Sequence, residues 1–328
     1  MILTSGDVAT MLDVASARTA VEEAFRRHGS GRTSAPRLLG YPVRGGGFHI
    51  KVAEYGDESA ELFVAKTNAN FPDNPIVRGL PTVQGVIQVF DARSGEVLAI
   101  MDSIEVTALR TAAATAVAAK YLARHDAATV TIAGCGTQGR AHARALAAVR
   151  PLEHAFLWDP DPQAAERMAA ELGPEAGMRF TVIGELSYAV RQSDIVVTCT
   201  PSTRYLVGPE CVEPGTFIAG VGADSEEKRE LDPRLLARSS VVVDVLEQCA
   251  AIGDLHHALD AGIMTRQDVY AELGEIVAGR KPGRTARDET FVFDSTGMAL
   301  QDAAVAVIVL ERARHQGLGL RLDLAAGS

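Results

Sequence analysis

The chain has 328 residues, of which 47% are hydrophobic and 23% are charged, a composition typical of a soluble globular protein. This length predicts two domains, or one large one, that can bury a core without disulfides or metal ions. The 42 acidic residues outnumber the 32 Lys and Arg residues, and the cations form no run, which argues against a nucleic-acid or anionic-membrane surface. We find no signal peptide and no apolar stretch long enough to span a bilayer, so we expect a cytoplasmic protein.

The first 124 residues are predicted to form helices and an antiparallel sheet. Thr-Ser-Gly-Asp at 4–7 suits a helix cap, and apolar residues then recur at helical spacing over 14–25. Segments in which apolar and polar residues alternate, together with a turn pattern at 91–95, predict antiparallel strands. The Ala-rich segment 105–124 predicts one long helix. The predicted strands are residues 48–52, 62–66, 83–90 and 97–101.

From residue 128 onward, strands and helices alternate, which predicts a parallel, doubly wound α/β sheet. Helical patterns follow the first three of these strands and recur near 226–238, 254–279 and 298–316. The predicted strands are residues 129–133, 155–158, 179–182, 195–198, 216–219, 240–245 and 291–293.

A glycine-rich loop follows the first strand of this α/β region. Residues 134–139 read Gly-Cys-Gly-Thr-Gln-Gly, the G-x-G-x-x-G pattern, and a helical run follows at 140–149. In such loops the first glycine permits a tight turn, the second lets a pyrophosphate approach the backbone, and the third lets the helix pack on the strand. The pyrophosphate would lie at the helix N-terminus. We expect a dinucleotide site here; the alternative is a glycine turn that binds nothing.

Asp159 ends the next strand, twenty residues after Gly139, where an acidic residue holds the ribose 2′-hydroxyl of NAD. A carboxylate at this point repels the 2′-phosphate of NADP, so the sequence favours NAD. If Asp159 only caps a helix from Pro160 onward, NADP is also allowed.

Further strand ends are expected to face the same crevice. The small residues at 220–223 suit the close approach of a dinucleotide. Asp224 follows them and is either a general acid and base or a cap for a helix that begins near Ser225.

Four cations occur singly among apolar neighbours, where a cation needs a partner. That partner is either a substrate carboxylate or cofactor phosphate, or a structural carboxylate of the protein itself. The remaining alternative is that the cation lies at the surface, where only the aliphatic part of its side chain is buried. The four are Arg37, Lys51, Lys66 and Arg110. No histidine spacing suggests a metal site, and the four cysteines form no CxxC pair and are expected to be free thiols.

With these residues in place, the chain resembles the ornithine cyclodeaminase/mu-crystallin family over nearly its whole length. Three features look most like the alanine dehydrogenase branch of the family. They are the glycine loop followed by Thr-Gln, the segment Asp-Ser-Thr-Gly at 294–297, and Val-Asp at 243–244 with Leu-Glu-Gln at 246–248. The other segments that carry the resemblance are residues 79–83, 108–113, 118–124 and 222–224, together with Lys228.

The resemblance implies an α/β fold in which a Rossmann domain with a doubly wound parallel sheet is inserted into a discontinuous α+β domain. Residues 1–120 and 297–328 would form the substrate-binding and dimerisation domain. Residues 121–296 would form the NAD(P)-binding Rossmann domain. A homodimer is therefore the expected assembly, with no nucleic-acid or membrane partner.

The resemblance also implies roles for single residues. Lys66 matches a catalytic lysine that contacts the substrate carboxylate, and Arg37 and Arg110 match carboxylate-binding arginines. Asp224 matches the proton donor and acceptor at the substrate amine, and Thr296 is expected to bind substrate. The expected cofactor-binding residues are Thr82, Arg110, Thr111, Gly134, Gly136, Thr137, Gln138, Gly139, Asp159, Thr200, Val221, Lys228 and Ser295.

One segment departs from the family pattern. Where many members have Met-Pro after an Arg or Leu, this chain has His-Ile-Lys-Val-Ala at 49–53. An additional cation at Lys51 would suit a second carboxylate on the substrate, as in relatives such as iminosuccinate reductase; the alternative is a surface position on the strand.

The reaction implied is hydride transfer between a nicotinamide and the α-carbon of an amino or imino acid, with NAD as the expected cofactor and NADP not excluded. A net reductase or dehydrogenase is the first expectation, acting on an α-imino acid or on an α-keto acid with ammonia. A cyclodeaminase with recycled NAD is the second, and would need an acidic group for a distal amine, with Glu54, Asp57 and Glu58 as candidates. A non-catalytic NAD(P)-dependent binding protein is the third.

Overall fold

The computed structural model describes residues 1–33, 36–57, 60–173 and 177–322. The strands, in chain order, are β1 (Ile2–Leu3), β2 (Arg37–Val43), β3 (Gly46–Asp57), β4 (Ala60–Asn70), β5 (Val83–Asp91), β6 (Val97–Asp102), β7 (Thr129–Ala133), β8 (His154–Trp158), β9 (Arg179–Val182), β10 (Ile195–Thr198), β11 (Thr203–Val207), β12 (Phe217–Gly220), β13 (Arg229–Leu231), β14 (Ser240–Val243), β15 (Ala271–Glu272) and β16 (Phe291–Asp294).

The helices are α1 (Ser5–Met11), α2 (Val14–Gly29), α3 (Asn74–Val77), α4 (Ile104–Leu122), α5 (Thr137–Ala147), α6 (Pro162–Leu172), α7 (Leu186–Arg191), α8 (Pro233–Leu236), α9 (Leu246–Ile252), α10 (Asp254–Asp260), α11 (Leu273–Val277) and α12 (Ala299–Gln316). The chain divides into two compact units: residues 1–24, 31–110 and 298–328 form the first, and residues 25–30 and 111–297 form the second.

The first unit contains a sheet whose described strands lie in the order β1-β6-β5-β4-β3-β2. The pairings from β2 to β6 are antiparallel, and β1 is added parallel to β6. Alternate residues such as Val64, Ile87 and Met101 are buried on one face, as expected for a sheet that covers a core on one side. Helix α12 packs on β3, β4 and β5.

The second unit contains a parallel sheet whose described strands lie in the order β15-β14-β16-β12-β10-β7-β8-β9. From β7 the chain continues to β8 and β9 on one side and to β10 and β12 on the other, so the strand order reverses between β7 and β10. In doubly wound sheets, ligands bind outside the carboxyl ends of the strands at this switch point. The loops after β7 and β10 meet there.

The predicted α/β Rossmann fold with an additional antiparallel sheet is confirmed, and several strands and helices begin or end within two residues of the predicted limits. Two helical predictions are wrong in part. The segment near 226–238 contains β13, which pairs with β11, and only the short helix α8. The segment 254–279 is interrupted by β15, which pairs with β14.

Within the described ranges, no helix is both long and apolar enough to cross a membrane. The four cysteines are free, and three of them are buried.

Candidate active site

A buried cluster of charged side chains lies in the first unit. Lys66 is 3% exposed, on β4, and its Nζ donates a hydrogen bond of 2.6 Å to Oδ1 of Asp302, on α12. Nε of Arg110, in the first half of α4, lies 3.0 Å from the same oxygen. Lys51 is 8% exposed and stands directly opposite Lys66 in the β3–β4 pairing. We call these four residues the cationic cluster.

Burial and like charge change the proton affinity of Lys66. Removal from water lowers the pKa of its ammonium group, and Arg110 and Lys51 lower it further, against the attraction of Asp302, to about 7. Burial alone would raise the pKa of Asp302, but Lys66, Arg110 and Lys51 hold it below its usual value. Asp302 is therefore a carboxylate, and Lys66 exchanges a proton near neutral pH.

Three buried polar atoms in or beside the cluster have no hydrogen-bond partner among the described residues, and one of them is Nε of Arg110, which is close to Asp302 as an ion pair without a hydrogen bond. Gln301 accepts a hydrogen bond from Nη1 of Arg110 at 3.2 Å, which leaves its Nε2 without an acceptor. Oδ2 of Asp302 is without a donor. Buried polar groups without a hydrogen-bond partner are costly in a protein interior. These atoms therefore indicate a ligand site, where an acceptor of the ligand would bond to Nε2 of Gln301 and a donor of the ligand would bond to Oδ2 of Asp302.

The structure does not bring Arg37 into this cluster. Arg37 is exposed and pairs with Val52, so it lies on the face of the sheet opposite to Lys51. Glu54 is likewise exposed on β3, and Glu58 lies outside the described residues. Thr82 is half-buried, and its carbonyl accepts a hydrogen bond from the backbone of Phe71.

In the second unit, the glycine loop has the shape of a phosphate cradle. Gly134 has a φ of +104°, which favours glycine, and a Cβ on Gly139 would lie 2.1 Å from the carbonyl oxygen of Gly134. A Cβ on Gly136 would meet open space. Helix α5 begins at Thr137, and no capping side chain accepts hydrogen bonds from its first backbone N–H groups. A pyrophosphate fits these donors.

Two side chains at or beside this loop offer acceptors for the hydroxyl groups of a dinucleotide. Oε1 of Gln138 is buried without a hydrogen-bond partner in the part of the chain that the structure describes. Asp159 follows β8 and accepts hydrogen bonds from the backbone N–H groups of Cys135, at 2.8 Å, and Asp161. A carboxylate has about four acceptor positions, which leaves room for ribose hydroxyls. The cap of helix α6 is Asp161, so the alternative that Asp159 only caps this helix is wrong.

Glu230 joins two loops that follow neighbouring strands, and the sequence analysis did not identify it. Its buried carboxylate accepts from the backbone N–H of Thr200 at 2.6 Å, from the Thr200 hydroxyl at 2.7 Å and from the N–H of Gly222 at 2.7 Å. Burial raises the pKa of Glu230, and these donors act in the opposite direction. Val221 is also buried in the loop after β12, where its N–H bonds to the carbonyl of Thr198.

Asp224 lies in the loop after β12, and its carboxylate accepts a hydrogen bond of 2.6 Å from Nζ of Lys228. Both side chains are partly exposed. No helix begins near Ser225 in the described structure, so the expectation that Asp224 caps one is wrong. Asp224 is therefore a partly accessible carboxylate with an adjacent ammonium group.

The segment after β16 is fixed by a buried carboxylate, Asp244. It accepts from the hydroxyls of Ser295 and Thr296, at 3.3 and 3.1 Å, and from the N–H of Gly297. The Thr296 hydroxyl also accepts from the Gln248 side chain at 2.8 Å. Ser295 and Thr296 are thus held in place by internal bonds.

Thr111 is buried on α4, one residue after Arg110. Among the described residues, no group of three or more His, Cys, Asp or Glu side chains could hold a metal ion.

Comparisons with known proteins place this geometry in context. A model of the ornithine cyclodeaminase/mu-crystallin family matches residues 1–317. An archaeal alanine dehydrogenase dimer with bound NAD superposes with a TM-score of 0.94, at 35% identity over 99% of both chains. The Thermococcus litoralis Δ1-pyrroline-2-carboxylate reductase, in complex with NADH and L-proline, superposes with a TM-score of 0.92, at 30% identity over 98% of this chain and 100% of the other. The iminosuccinate reductase of Paracoccus denitrificans is 34% identical over 99% of this chain and 100% of its own.

Proposed function

Because the chain belongs to the ornithine cyclodeaminase/mu-crystallin family, we propose that it is an NAD-dependent reductase of small α-imino acids. The substrate class is a 2-imino carboxylate, and the product is the α-amino acid. The observation that carries this proposal is the cationic cluster, where Lys66 and Arg110 are buried around a single carboxylate beside the unpaired amide of Gln301. Two of the similar proteins are named as reductases of imino acids, which supports the same reaction class.

The cluster is proposed to bind the substrate carboxylate. Lys66 and Arg110 supply positive charge, and Nε2 of Gln301 supplies a neutral donor. The unpaired Oδ2 of Asp302 accepts a donor such as the N–H of an imine or amine. Together they hold the substrate in one orientation, which is one contribution of the protein when a cofactor supplies the chemistry.

The second unit is proposed to bind the dinucleotide. The N-terminus of α5 and Gly136 hold the pyrophosphate, and Asp159 holds the ribose. Thr200 and Val221 line the neighbouring strand ends, where Glu230 fixes the loops. Bound NADH supplies the hydride that the imine carbon accepts. The remaining residues proposed for cofactor binding are Thr82, Arg110, Thr111, Gly134, Thr137, Gln138, Gly139, Lys228 and Ser295.

Asp224 is proposed to exchange the proton at the substrate nitrogen. When the imine carbon gains a hydride, the nitrogen gains electron density and takes a proton from a nearby acid. Asp224 is a partly exposed carboxyl group that can reload this proton from water, and the adjacent Lys228 ammonium stabilises the carboxylate that remains.

Replacing Asp224 with asparagine tests this role and the proposed function together. We expect Asp224→Asn to bind NADH as the wild type does, because the cradle is untouched, but to lose about 10²–10⁴-fold in turnover, the usual contribution of a general acid. NADH fluorescence titration measures the binding, and NADH consumption with an imino acid measures the turnover. Asp232→Asn is the matched control, because Asp232 is a carboxylate that also pairs with a cation, Arg234, and caps α8. Full turnover in Asp224→Asn would remove this residue from the mechanism.

Asp159→Ala tests the choice of cofactor. Because the carboxylate of Asp159 accepts ribose hydroxyls and repels a 2′-phosphate, its removal should weaken NADH binding and improve NADPH binding relative to NADH. Dissociation constants for both cofactors, measured by fluorescence, give the ratio. An equal change for NADH and NADPH would mean that Asp159 only supports the glycine loop through Cys135.

We also propose that the chain acts as a homodimer in which residues 1–120 and 297–328 bind substrate and form the dimer contact, while residues 121–296 bind the dinucleotide. The edge strand β2 supports this, because Leu39, Tyr41 and Val43 are exposed on it by 57%, 62% and 37%. The archaeal relative described as a dimer supports it as well.

A further inference from the structure

Three buried carboxylates in the second unit are connected in series, because each accepts hydrogen bonds from the backbone of the next segment. Asp294, the last residue of β16, accepts from the N–H groups of Asp254 and Leu255, at 3.2 and 2.9 Å. Asp254, the first residue of α10, accepts from the N–H groups of Glu230 and Leu231, at 2.8 and 3.0 Å. Glu230 in turn accepts from the loops after β10 and β12. We call Asp294, Asp254 and Glu230 the buried acidic triad.

The triad is costly to the fold. Its three side chains are 0% exposed, and burial raises the pKa of each. Burial and the nearby Glu230 carboxylate raise the pKa of Asp254 to about 7, against its backbone donors and Arg229. Oδ2 of Asp254 has no hydrogen-bond partner in the described parts of the chain. A buried polar network of this kind fixes the backbone segments that it joins, which is what the fold gains from it.

The segments that the triad joins lie at the ends of neighbouring parallel strands. Strands β10, β12 and β16 are adjacent in the sheet, and Thr200, Gly222 and Ser295 follow them. The N–H of Ser295 also bonds to the carbonyl of Gly220, the last residue of β12, at 3.0 Å. The glycine loop and Asp159 follow β7 and β8, on the other side of the switch point. In doubly wound sheets, each of the two halves binds one mononucleotide half of the cofactor.

We propose that the buried acidic triad positions the nicotinamide half of the bound dinucleotide. This inference rests on the proposed function, since it concerns the same dinucleotide site. The glycine loop and Asp159 are proposed to hold the pyrophosphate and the adenosine ribose, which leaves the strand ends of the other half for the nicotinamide ribose and ring.

The three acids act through the loops, and none of them is proposed to touch the cofactor. Glu230 uses both carboxylate oxygens on the loops after β10 and β12, and Asp254 fixes the backbone of Glu230. Asp294 connects this pair to the end of β16. Because misplacement of a reacting group by about 1 Å can cost about 100-fold in rate, fixed loops at this position matter for hydride transfer.

Glu230→Gln tests the triad without a change in side-chain size. A glutamine has one carbonyl oxygen, so its NH₂ group would face the N–H of either Thr200 or Gly222, and one loop would be released. We expect the dissociation constant of NADH to rise at least about tenfold, whereas that of ADP, which contains the adenosine half and both phosphates, should change less than about twofold. NADH binding is measured by fluorescence, and ADP binding by displacement of NADH.

Variants of Asp254 test the triad one step further from the cofactor. Asp254→Ala removes the acceptor of the Glu230 and Leu231 N–H groups and should weaken NADH binding with the same selectivity over ADP. Asp254→Asn keeps one oxygen, and a single oxygen accepts both bonds, so it should restore most of the affinity for NADH. Two controls, Asp260→Ala on α10 and Glu166→Gln on α6, remove exposed carboxylates and should leave the binding of both ligands unchanged.

Hydrogen exchange of the wild type supplies a test that needs no variant. Backbone N–H groups in loops exchange through local opening, and a ligand that fixes the loops slows this exchange. We expect NADH to slow the exchange of the N–H groups of Thr200, Gly222 and Glu230 more than ADP does, because only NADH fills the nicotinamide half. Mass spectrometry of peptides that contain these residues measures the difference.

The outcomes separate this inference from the proposed function. Three results would overturn the role of the triad and leave the dinucleotide site in place: unchanged NADH binding in folded Glu230→Gln, equal weakening of NADH and ADP binding there, or equal protection of these N–H groups by the two ligands. An Asp254→Asn protein that binds NADH as weakly as Asp254→Ala would remove Asp254 from the series. A wild type that binds neither NADH nor NADPH would overturn the proposed function, and the inference with it.

Discussion

Asp302→Asn is expected to be the most destabilising of the single substitutions considered for this protein. Asp302 is 1% exposed and is the carboxylate that pairs with both Lys66 and Arg110. Removal of one partner from a buried ion pair leaves uncompensated charge, which costs about 3–5 kcal/mol of unfolding free energy. The melting temperature should fall by roughly 5–15 °C, as measured by calorimetry or circular dichroism.

A second substitution distinguishes lost charge balance from lost shape. In the double variant Asp302→Asn with Lys66→Met, one of the uncompensated cations is gone, so part of the stability should return. Asp126→Asn removes an exposed carboxylate that pairs with Arg287 and should change the melting temperature very little. A melting temperature of Asp302→Asn equal to that of the wild type would show that the cluster is not charged as described.

The second large effect concerns Lys66 and pH. Burial and the neighbouring cations lower the pKa of Lys66 to about 7. Its ammonium form, which is proposed to bind the substrate carboxylate, is therefore about half present at pH 7, predominates below that pH and is lost as the pH rises above it. We expect kcat/KM, which reports groups of the free enzyme, to fall as the pH rises above about 7. Lys66→Met should lose about 30-fold or more at neutral pH, because a buried charge partner of the substrate is absent.

Lys66→Arg is the informative control for this pH dependence. Arginine stays protonated, so the fall above pH 7 should disappear in Lys66→Arg even if its maximal activity is reduced. The comparison of the two proteins with one substrate cancels the titration of the substrate itself. Persistence of the same fall in Lys66→Arg would assign it to another group.

Much of the second unit could be predicted from the sequence because its signals are local. Strands β7, β10 and β12 are largely apolar and buried, and the glycine loop follows β7 directly. The short strands β13 and β15 were mistaken for helix because each has two or three residues and is defined by its partner strand. A pairing of that kind leaves no periodic pattern in the sequence.

The cationic cluster could be predicted only in part. Lys66 and Arg110 were identified as cations that need partners, and of the alternatives that the sequence left open the structure shows a structural carboxylate; the binding of a substrate carboxylate stays a proposal. Asp302 was missed because it is more than 190 residues from either cation in the chain, on a helix whose pattern only indicated burial. A buried acidic residue on the apolar face of α12 is the signal that could have revealed it.

Glu230 was missed, and Asp244 was recognised only as part of a family segment, for a related reason. Each accepts hydrogen bonds from backbone N–H groups of loops that follow other strands, and those loops meet only once the parallel sheet has formed. Residue type and spacing give no sign of such bonds. The residues that position a dinucleotide site are thus harder to find in a sequence than the glycines that touch the ligand.

The most direct test of the central claim follows the absorbance of NADH when the purified protein is mixed with α-imino acids. The imino acids are formed from α-keto acids with ammonia or supplied as cyclic imines, and ammonia is assayed in parallel with ornithine or lysine and NAD. We expect NADH to be consumed in proportion to the amino acid formed. Release of ammonia from a diamino acid without net change of the cofactor would contradict it in favour of a cyclodeaminase. Tight NADH binding without turnover of any of these compounds would contradict it in favour of a binding protein.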